Sequence, residues 1–279
     1  MKILLLSLLF LAAAVAGTRP VAVHAHRGAT AVRPENTIAA FQEAIRIGAD
    51  FIELDVLATS DDVLVVTHDP VINPALCTGG EPRLPIRQLS LAEVRRYDCG
   101  SLTLPAFPHQ VAVPGARIPT LNEVLDLAKT SKIRFNIEIK SSEKWKGWAP
   151  DPEPLARMVV DAVREHGLEK RVLIQSFDFR VVRAVKAVAP EIPLAALYGG
   201  GERSFVDIAR ETGVRMVNPA FRLITPEKVK EAHAAGIQVI PWTIDNPADW
   251  DRVLAAGVDG IISNDPAAAI AHLRTKGLR

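Results

Sequence analysis

Short apolar runs and amphipathic segments alternate along the chain from residue 21 onward. Eight runs have the length and composition of buried strands, and they lie at 21–25, 51–57, 133–139, 172–175, 194–197, 216–217, 239–242 and 260–262. A segment with a helical spacing of apolar residues follows each run, at 36–47, 120–130, 154–166, 179–188, 204–212, 226–235, 247–256 and 266–274. This alternation predicts an α/β fold, and the count of eight favours a closed (β/α)₈ barrel, the TIM barrel, over an open doubly wound sheet.

Two acidic residues interrupt the second predicted strand. Glu53 and Asp55 share one face of the strand, because side chains two residues apart point the same way. Two carboxylates about 4 Å apart repel each other by roughly 4 kcal/mol at an effective dielectric constant of 20. A divalent cation between them removes this repulsion, and Ca²⁺ and Mg²⁺ prefer oxygen ligands. The alternative is a water-facing pair on an antiparallel sheet.

Other polar residues lie where predicted strands end. TIM barrels carry their chemistry at the carboxyl ends of the strands, so we expect these side chains to converge on one mouth. They are His26, Arg27, Asn136, Glu138, Lys140, Gln175, Ser176, Asn218, Trp242, Ser263 and Asn264. A further apolar run at 63–67 leads to His68. An ordinary surface ion pair is the alternative for Glu138 and Lys140, but a strand that is buried on both sides disfavours it.

Residues 70–118 break the alternation. They contain several prolines, both cysteines of the chain and one short helical pattern at 89–97. Long loops in compact domains usually have a function, so we interpret 70–118 as a small cap inserted after the second strand, and a floppy surface excursion is the alternative. A Cys77–Cys99 disulfide would close this cap and contribute about 3 kcal/mol through loop entropy. Two buried free thiols are the alternative.

The first residues resemble a targeting signal. Met1 and Lys2 form a positive start, residues 3–15 are apolar and uncharged, and Ala14-Val15-Ala16 fits the small-residue rule for signal peptidase. We therefore predict a signal peptide at 1–16, a mature domain at 17–279, and export to the periplasm or secretion. An uncleaved membrane anchor is the alternative. After cleavage we expect no stable membrane insertion.

Composition narrows the class of partner. The 279 residues are 48% hydrophobic and 23% charged with a net charge of +1, which gives no reason to expect nucleic acid as a partner. The two cysteines lack the spacing of a thiolate zinc site. No GxGxxG string or P-loop is present to indicate a nucleotide site.

Several strings resemble, in the same order, the glycerophosphodiester phosphodiesterase family. They are His26-Arg27-Gly28, Pro34-Glu35-Asn36-Thr37, 48–56, Val66-Thr67-His68-Asp69, 118–121, Ile137-Glu138-Ile139-Lys140, Gln175-Ser176-Phe177-Asp178, Pro241-Trp242-Thr243 and 259–262. The resemblance covers about 21–270 and implies a (β/α)₈ barrel with an insertion after the second strand. Two places depart from the family pattern: Asp245 adds an acidic residue after Trp242, and Ser263-Asn264-Asp265 replaces a more acidic turn.

The resemblance implies a role for each candidate residue. His26 and His68 would form the general acid–base pair, and Glu53, Asp55 and Glu138 would hold Ca²⁺ or Mg²⁺. Arg27 and Lys140 would contact phosphate oxygens, with Gln175 and Trp242 as further substrate contacts. The sequence leaves open which histidine is the acid, and whether water or the substrate's own hydroxyl attacks. We expect His24 to be a core or supporting residue, and the remaining histidines to be structural.

The implied reaction is the metal-dependent hydrolysis of a small-molecule glycerophosphodiester to sn-glycerol 3-phosphate and an alcohol. The alternative enzyme is a phosphodiesterase of the phospholipase C or D type that acts on (lyso)phospholipid head groups. A third possibility is a phosphoester-binding protein without activity. The presence of both His26 and His68 argues against it, because binding alone needs no acid–base pair.

Overall fold

The computed structural model describes residues 20–145 and 147–279, so the predicted signal peptide at 1–16 lies outside the described residues. The described strands are β1 (Ala22–Ala25), β2 (Phe51–Ala58), β3 (Leu64–Val66), β4 (Arg134–Ile139), β5 (Val172–Ser176), β6 (Leu194–Tyr198), β7 (Met216–Pro219), β8 (Gln238–Val239) and β9 (Gly260–Ser263). The described α-helices are α1 (Ile38–Ile47), α2 (Leu91–Val94), α3 (Leu121–Leu125), α4 (Pro152–Glu165), α5 (Phe179–Val188), α6 (Phe205–Thr212), α7 (Pro226–Ala234), α8 (Pro247–Ala255) and α9 (Pro266–Thr275). None of these helices is long and apolar enough to cross a membrane.

Eight of the strands form a nearly closed parallel barrel. Their order is β8-β7-β6-β5-β4-β2-β1-β9, and β3 pairs antiparallel with β2 outside this order. The two end strands meet through backbone hydrogen bonds: Asp259 N donates to Val239 O at 3.0 Å, and Ile262 N donates to Pro241 O at 3.0 Å. The predicted (β/α)₈ barrel is therefore confirmed.

The two faces of the barrel strands differ in chemistry. The apolar face of β2, formed by Ile52, Leu54 and Val56, packs in one core cluster with Phe41 of α1. Glu53 and Asp55 alternate with these residues and are equally buried, at 1% exposure each. Because β2 is covered on both sides, its acidic residues lie inside the protein, and the water-facing alternative for this pair is wrong.

Helix boundaries follow local capping signals. The Thr37 side chain accepts a hydrogen bond from Ala40 N at the start of α1, and Gly48 ends the helix with φ 85°, a left-handed conformation that glycine adopts without strain. The predicted helix at 89–97 is shorter, because α2 occupies only Leu91–Val94 after a capping box at Ser90. The predicted strand at 239–242 also ends early, since Pro241 has no N–H for the ladder.

The segment 70–118 is packed and has a small core of its own. Buried residues of this core include Ile72, Ile86, Val94 and Tyr97, which cluster with Leu57 of β2. Further contacts join the segment to the loops that follow β1 and β2, because Val111 N donates to Val32 O at 3.0 Å and Ser60 N donates to Leu89 O at 2.8 Å. A disulfide joins Cys77 to Cys99, which confirms that pairing. The floppy-excursion alternative is therefore wrong.

Candidate active site

Three carboxylates meet at the carboxyl ends of two neighbouring strands. Glu53 and Asp55 belong to β2 and Glu138 belongs to β4, and the parallel register of these strands places Asp55 directly beside Glu138. One oxygen from each of the three side chains lies within 4.8 Å of the others. All three residues are at most 6% exposed, so a cluster of negative charge lies in a buried position.

Two cationic side chains enclose this cluster. Lys140 Nζ lies 2.8 Å from Glu138 Oε1 and 3.0 Å from Asp55 Oδ1. Arg27 Nε lies 3.4 Å from Asp55 Oδ2, and the Arg27 backbone N–H donates to Glu53 Oε2 at 3.0 Å. Three carboxylates therefore face two fixed cations, and one negative charge remains in excess when all five groups are ionised.

Burial and charge shift the pKa values of these groups in opposite directions. Burial, together with the Asp55 and Glu138 carboxylates, raises the pKa of Glu53 well above its ordinary value. Burial would also raise the pKa of Asp55, but Lys140 and Arg27 hold it far below that value. The negative charge of Glu53 is unfavourable in this position, and a bound cation would stabilise it. The three carboxylates offer only oxygen donors, which fit a hard divalent cation such as Ca²⁺ or Mg²⁺.

His26 follows β1 and faces the carboxylate cluster from the side of the barrel where β1 and β9 meet. Its Nδ1 lies 2.7 Å from Asn264 Oδ1, in the turn after β9. Burial and the Arg27 guanidinium lower the pKa of His26 to about 3. The imidazole is therefore neutral near pH 7.

His68 follows β3 and has a different kind of partner. Its Nδ1 lies 2.8 Å from Asp69 Oδ1, and Asp69 Oδ2 accepts a hydrogen bond from Asn73 Nδ2 at 2.6 Å. The hydrogen bond from His68 lowers the pKa of the Asp69 carboxyl. One histidine of the pair thus contacts an amide and the other a carboxylate.

Gln175 and Trp242 belong to a chain of hydrogen bonds that ends on the carboxylate cluster. Gln175 Nε2 donates to Glu53 Oε1 at 3.1 Å, and Asn218 Nδ2 donates to Gln175 Oε1 at 2.7 Å. Trp242 Nε1 donates to the Asn218 backbone carbonyl at 2.8 Å. The amide of Gln175 therefore orients Glu53, while a substrate contact by Gln175 or Trp242 stays a prediction.

An open groove leads away from the carboxylate cluster. It has a volume of about 640 Å³, and its lining includes His68, Glu138, Lys140, Trp145 and Phe177. The Phe177 ring meets the Trp242 ring edge to face at a centroid distance of 5.3 Å. Aromatic walls beside a buried charged cluster are suited to a small ligand that has one charged end and one less polar end.

Sequence reasoning did not assign roles to several residues that support this site. Glu35 accepts a hydrogen bond from Arg27 Nη1 at 2.7 Å, and Asn36 Nδ2 donates to Asp55 Oδ2 at 2.9 Å. Glu35 and Asn36 are adjacent in the string Pro34-Glu35-Asn36-Thr37. The only feature of the sequence that pointed to these two residues was the resemblance of this string to the family. Arg27 and Asn36 also have φ values of 55° and 54°, so the backbone is strained where it presents these side chains to Asp55.

The other histidines lie outside the carboxylate cluster. His24 is fully buried in β1, stacks on Phe51 at 4.1 Å, and lies 3.2 Å from Asn136 Nδ2 through its Nδ1. Burial lowers its pKa to about 3, so it is a neutral core residue. His233 pairs with the partly buried carboxylate of Asp259, and His272 pairs with the exposed carboxylate of Asp251.

Comparison with known proteins gives the chain a family. The model of the glycerophosphoryl diester phosphodiesterase family matches residues 26–268. The chain is 38% identical over 255 residues to a glycerophosphodiester phosphodiesterase of Caldanaerobacter subterraneus subsp. tengcongensis, covering 91% of this chain and 98% of the relative. It is 30% identical over 254 residues to a glycerophosphodiester phosphodiesterase of Bacillus subtilis, covering 87% of this chain and 83% of that relative.

Solved structures share the fold. A crystal structure from Silicibacter pomeroyi DSS-3, assigned to the glycerophosphoryl diester phosphodiesterases, superposes with a TM-score of 0.87 at 30% identity, covering 94% of this chain and 97% of that one. An Oleispira antarctica phosphodiesterase, solved with the product sn-glycerol-3-phosphate, superposes with a TM-score of 0.79 at 23% identity, covering 91% of this chain and 97% of that one. The match of the family model over most of the chain and the two relatives at 30% identity or more confirm the resemblance noted in the sequence, and this chain belongs to the glycerophosphoryl diester phosphodiesterase family.

Proposed function

We propose that this enzyme hydrolyses glycerophosphodiesters to sn-glycerol 3-phosphate and an alcohol. The observation that carries the proposal is the convergence of Glu53, Asp55 and Glu138 with the cations of Lys140 and Arg27 at the mouth of the barrel. The names of the Caldanaerobacter and Bacillus relatives and the bound product of the Oleispira structure support the same substrate class.

The three carboxylates are the residues that would hold a divalent cation, Ca²⁺ or Mg²⁺. When bound, such an ion neutralises charge on the phosphoryl oxygens as it grows in the transition state. Gln175 holds Glu53 in place through its amide, and Asn36 does the same for Asp55. The donor set is therefore fixed in orientation before any ligand arrives, which is the arrangement expected of a preorganised site.

Arg27 and Lys140 bind the phosphate in this proposal. A phosphodiester carries one negative charge, and both cations can turn a donor toward it from the edge of the carboxylate cluster. The two carboxylates beside Lys140 raise the pKa of its ammonium above its ordinary value, despite burial, so this residue keeps its charge throughout the neutral range. Its role is electrostatic, and it supplies no proton.

His26 and His68 move the protons. Imidazole can accept or donate a proton near neutral pH, so one ring takes a proton from the attacking hydroxyl and the other gives one to the leaving alcohol. Phe177, which lines the groove, and Trp242, whose ring packs against Phe177, would contact the less polar part of the substrate. The attacking group is water or the neighbouring hydroxyl of the substrate's glycerol. In the second case a transient cyclic phosphate forms as the alcohol leaves, and water then opens it to glycerol 3-phosphate.

We also propose that residues 1–16 are a signal peptide and that the mature protein is periplasmic or secreted. The apolar, uncharged run at 3–15 and the small residues at 14–16 support cleavage there. The Cys77–Cys99 disulfide supports an oxidising compartment. Amino-terminal sequencing of protein from an exporting host tests this, and retention of Met1 on protein in the membrane fraction would contradict it.

Product analysis tests the proposed reaction. The purified protein is incubated with glycerophosphocholine, glycerophosphoethanolamine and lysophosphatidylcholine, each with and without a chelator. We expect sn-glycerol 3-phosphate from the first two substrates only, and loss of product on chelation. Release of a head group or phosphocholine from lysophosphatidylcholine alone would instead support the phospholipase alternative, and no product from any diester would overturn the proposal.

A further inference from the structure

The turn after β9 forms a hydrogen-bonded unit with Asp245 that reaches His26. Asp245 Oδ1 accepts from Asn264 N at 2.8 Å and from Ser263 Oγ at 3.1 Å, and Asp245 Oδ2 accepts from Asn264 Nδ2 at 2.7 Å. Asn264 Oδ1 then lies 2.7 Å from His26 Nδ1. Asp245 and Asn264 are the two places where the sequence departs from the family pattern, and the structure joins them in one chain of contacts.

The hydrogen bonds from Asp245 fix the orientation of the Asn264 amide. A carboxylate accepts hydrogen bonds and donates none, so the group 2.7 Å from Asp245 Oδ2 has to be the NH₂ of Asn264. The flipped amide would place a carbonyl oxygen against a carboxylate oxygen at that distance, which is repulsive. The carbonyl oxygen of Asn264 is consequently the atom that faces His26.

An amide oxygen that faces Nδ1 also decides where the imidazole proton lies. The oxygen can only accept, so Nδ1 of His26 carries the hydrogen and, in the neutral ring, Nε2 carries the free electron pair. We propose that Asn264, oriented by Asp245, is a positioning residue that holds His26 in the Nδ1–H tautomer and leaves Nε2 free to accept a proton. The expected effect of Asn264 on the reaction rate rests on the proposed function, whereas its effect on the tautomer of His26 does not.

Asp245→Asn is the sharpest test, because it reverses the direction of the hydrogen bonds that run from residue 245 through Asn264 to His26. The new amide oxygen still accepts from Asn264 N and Ser263 Oγ, so its NH₂ group has to face the Asn264 side chain. Asn264 then turns its own carbonyl oxygen toward residue 245 and its NH₂ toward His26. Nδ1 becomes an acceptor and the proton moves to Nε2. Asp245 is exposed, so the change leaves the core intact.

The tautomer is read directly from proton–nitrogen correlation spectra of the full-length protein with ¹⁵N-labelled histidine, with His26→Gln used to assign the His26 signals. We expect Nδ1–H in the wild type and Nε2–H in Asp245→Asn. The exchanged pair, Asp245→Asn with Asn264→Asp, should restore Nδ1–H, because the carboxylate introduced at position 264 would accept from both neighbours. Asp251→Asn, which changes the exposed carboxylate paired with His272, is the matched control and should leave His26 unchanged.

Kinetics give the second readout. For glycerophosphocholine we expect Asp245→Asn to lower kcat by about 10²-fold, in the range for loss of general-base function, with KM almost unchanged, and the exchanged pair to recover most of the loss. A wild-type Nε2–H tautomer, or an unchanged tautomer in Asp245→Asn, would overturn the proposal. If Asp245→Asn does not fold, Asn264→Leu decides: loss of the single Nδ1–H form supports the proposal and its persistence overturns it. A wild type without diester hydrolysis would contradict the proposed function alone, since the spectra do not depend on activity.

Discussion

The Lys140 ammonium lies 3.0 Å from Asp55 Oδ1, with both side chains at most 8% exposed. Lys140 also contacts Glu138, so it neutralises part of the cluster to which we assign the cation. An ion bound by these carboxylates and the lysine therefore compete for the same negative charge. A variant that lacks the Lys140 ammonium should therefore depend on a bound cation for its stability.

We expect Lys140→Met to lower the melting temperature and to make it strongly dependent on Ca²⁺. Removing one partner of a buried ion pair costs about 3–5 kcal/mol, because an uncompensated charge remains buried. Added Ca²⁺ should return most of this loss and should raise the melting temperature more than it does in the wild type, while activity stays low. Calorimetry with and without Ca²⁺ measures both effects. The exposed Lys144→Met is the control, and an equal Ca²⁺ shift in all three proteins would contradict the prediction.

Removal of divalent ions should abolish diester hydrolysis, and Ca²⁺ or Mg²⁺ should restore it. Glu53→Ala and Asp55→Ala should lose ion binding and activity together, because each removes an oxygen donor from the cluster. Isothermal titration with the ion and a product assay on the same samples test this. Full activity in a thoroughly demetallated preparation would show that the carboxylates have another role.

His26→Ala and His68→Ala should each reduce turnover by the ~10²–10⁴-fold typical of general acid–base groups. Both variants should bind the cation normally, since neither ring belongs to the carboxylate cluster. A nitrophenyl phosphodiester has a leaving group that departs without a proton, so it should rescue the variant that lacks the acid. His26, held with Nε2 free to accept a proton, is the base in our proposal, which leaves His68 as the acid, and we expect rescue in His68→Ala. Rescue of His26→Ala instead would reverse the assignment.

Acid should destabilise the protein through its buried neutral histidines. The pKa of His24 is about 3 in the folded state against an ordinary value of 6.5, so the unfolded chain takes up the proton first as the pH falls. The free energy of unfolding should therefore fall more steeply as the pH drops below 6.5, approaching about 1.4 kcal/mol per pH unit for this group near pH 5. In His24→Gln, which keeps an acceptor for Asn136, the slope should be smaller by that amount. Urea unfolding between pH 7 and pH 5 measures it, and equal slopes would contradict the prediction.

Loss of the Cys77–Cys99 disulfide should lower the stability of the cap segment by about 3 kcal/mol, the loop-entropy value for a loop of this size. We expect the double Cys→Ser variant and the reduced wild type to show the same early unfolding step. Limited proteolysis within 70–118 reports on it directly. Equal resistance of the oxidised and reduced proteins would show that the small core around Tyr97 is sufficient by itself.

The sequence predicted the barrel because its periodic signals are local. Strand and helix patterns, capping residues such as Thr37 and terminal glycines such as Gly48 each act over a few residues, and the structure has an element at almost every predicted place. The exceptions have local causes too. Pro241 shortens the ladder of β8, and the capping box at Ser90 starts a helix of a single turn.

The carboxylate cluster was predictable for a different reason. Glu53 and Asp55 lie two residues apart on one strand, so a single segment of sequence shows that they share a face. The partner of His26 was not predictable, because Asn264 lies 238 residues away along the chain. Contacts of this kind depend on how the barrel closes between β1 and β9. The sequence placed Asn264 at the same mouth as His26 and marked residues 245 and 264 as departures from the family pattern, but it did not pair Asn264 with His26.

The two histidines lie on parts of the chain that are held in different ways. His26 follows a barrel strand, whereas His68 stands at the entrance to the inserted segment and is held by Asp69 and Asn73. The three carboxylates to which we assign the cation belong to barrel strands β2 and β4. Replacement of the insertion by one of another length or shape would thus alter the position of His68, while the three carboxylates on the barrel strands keep their coordinates.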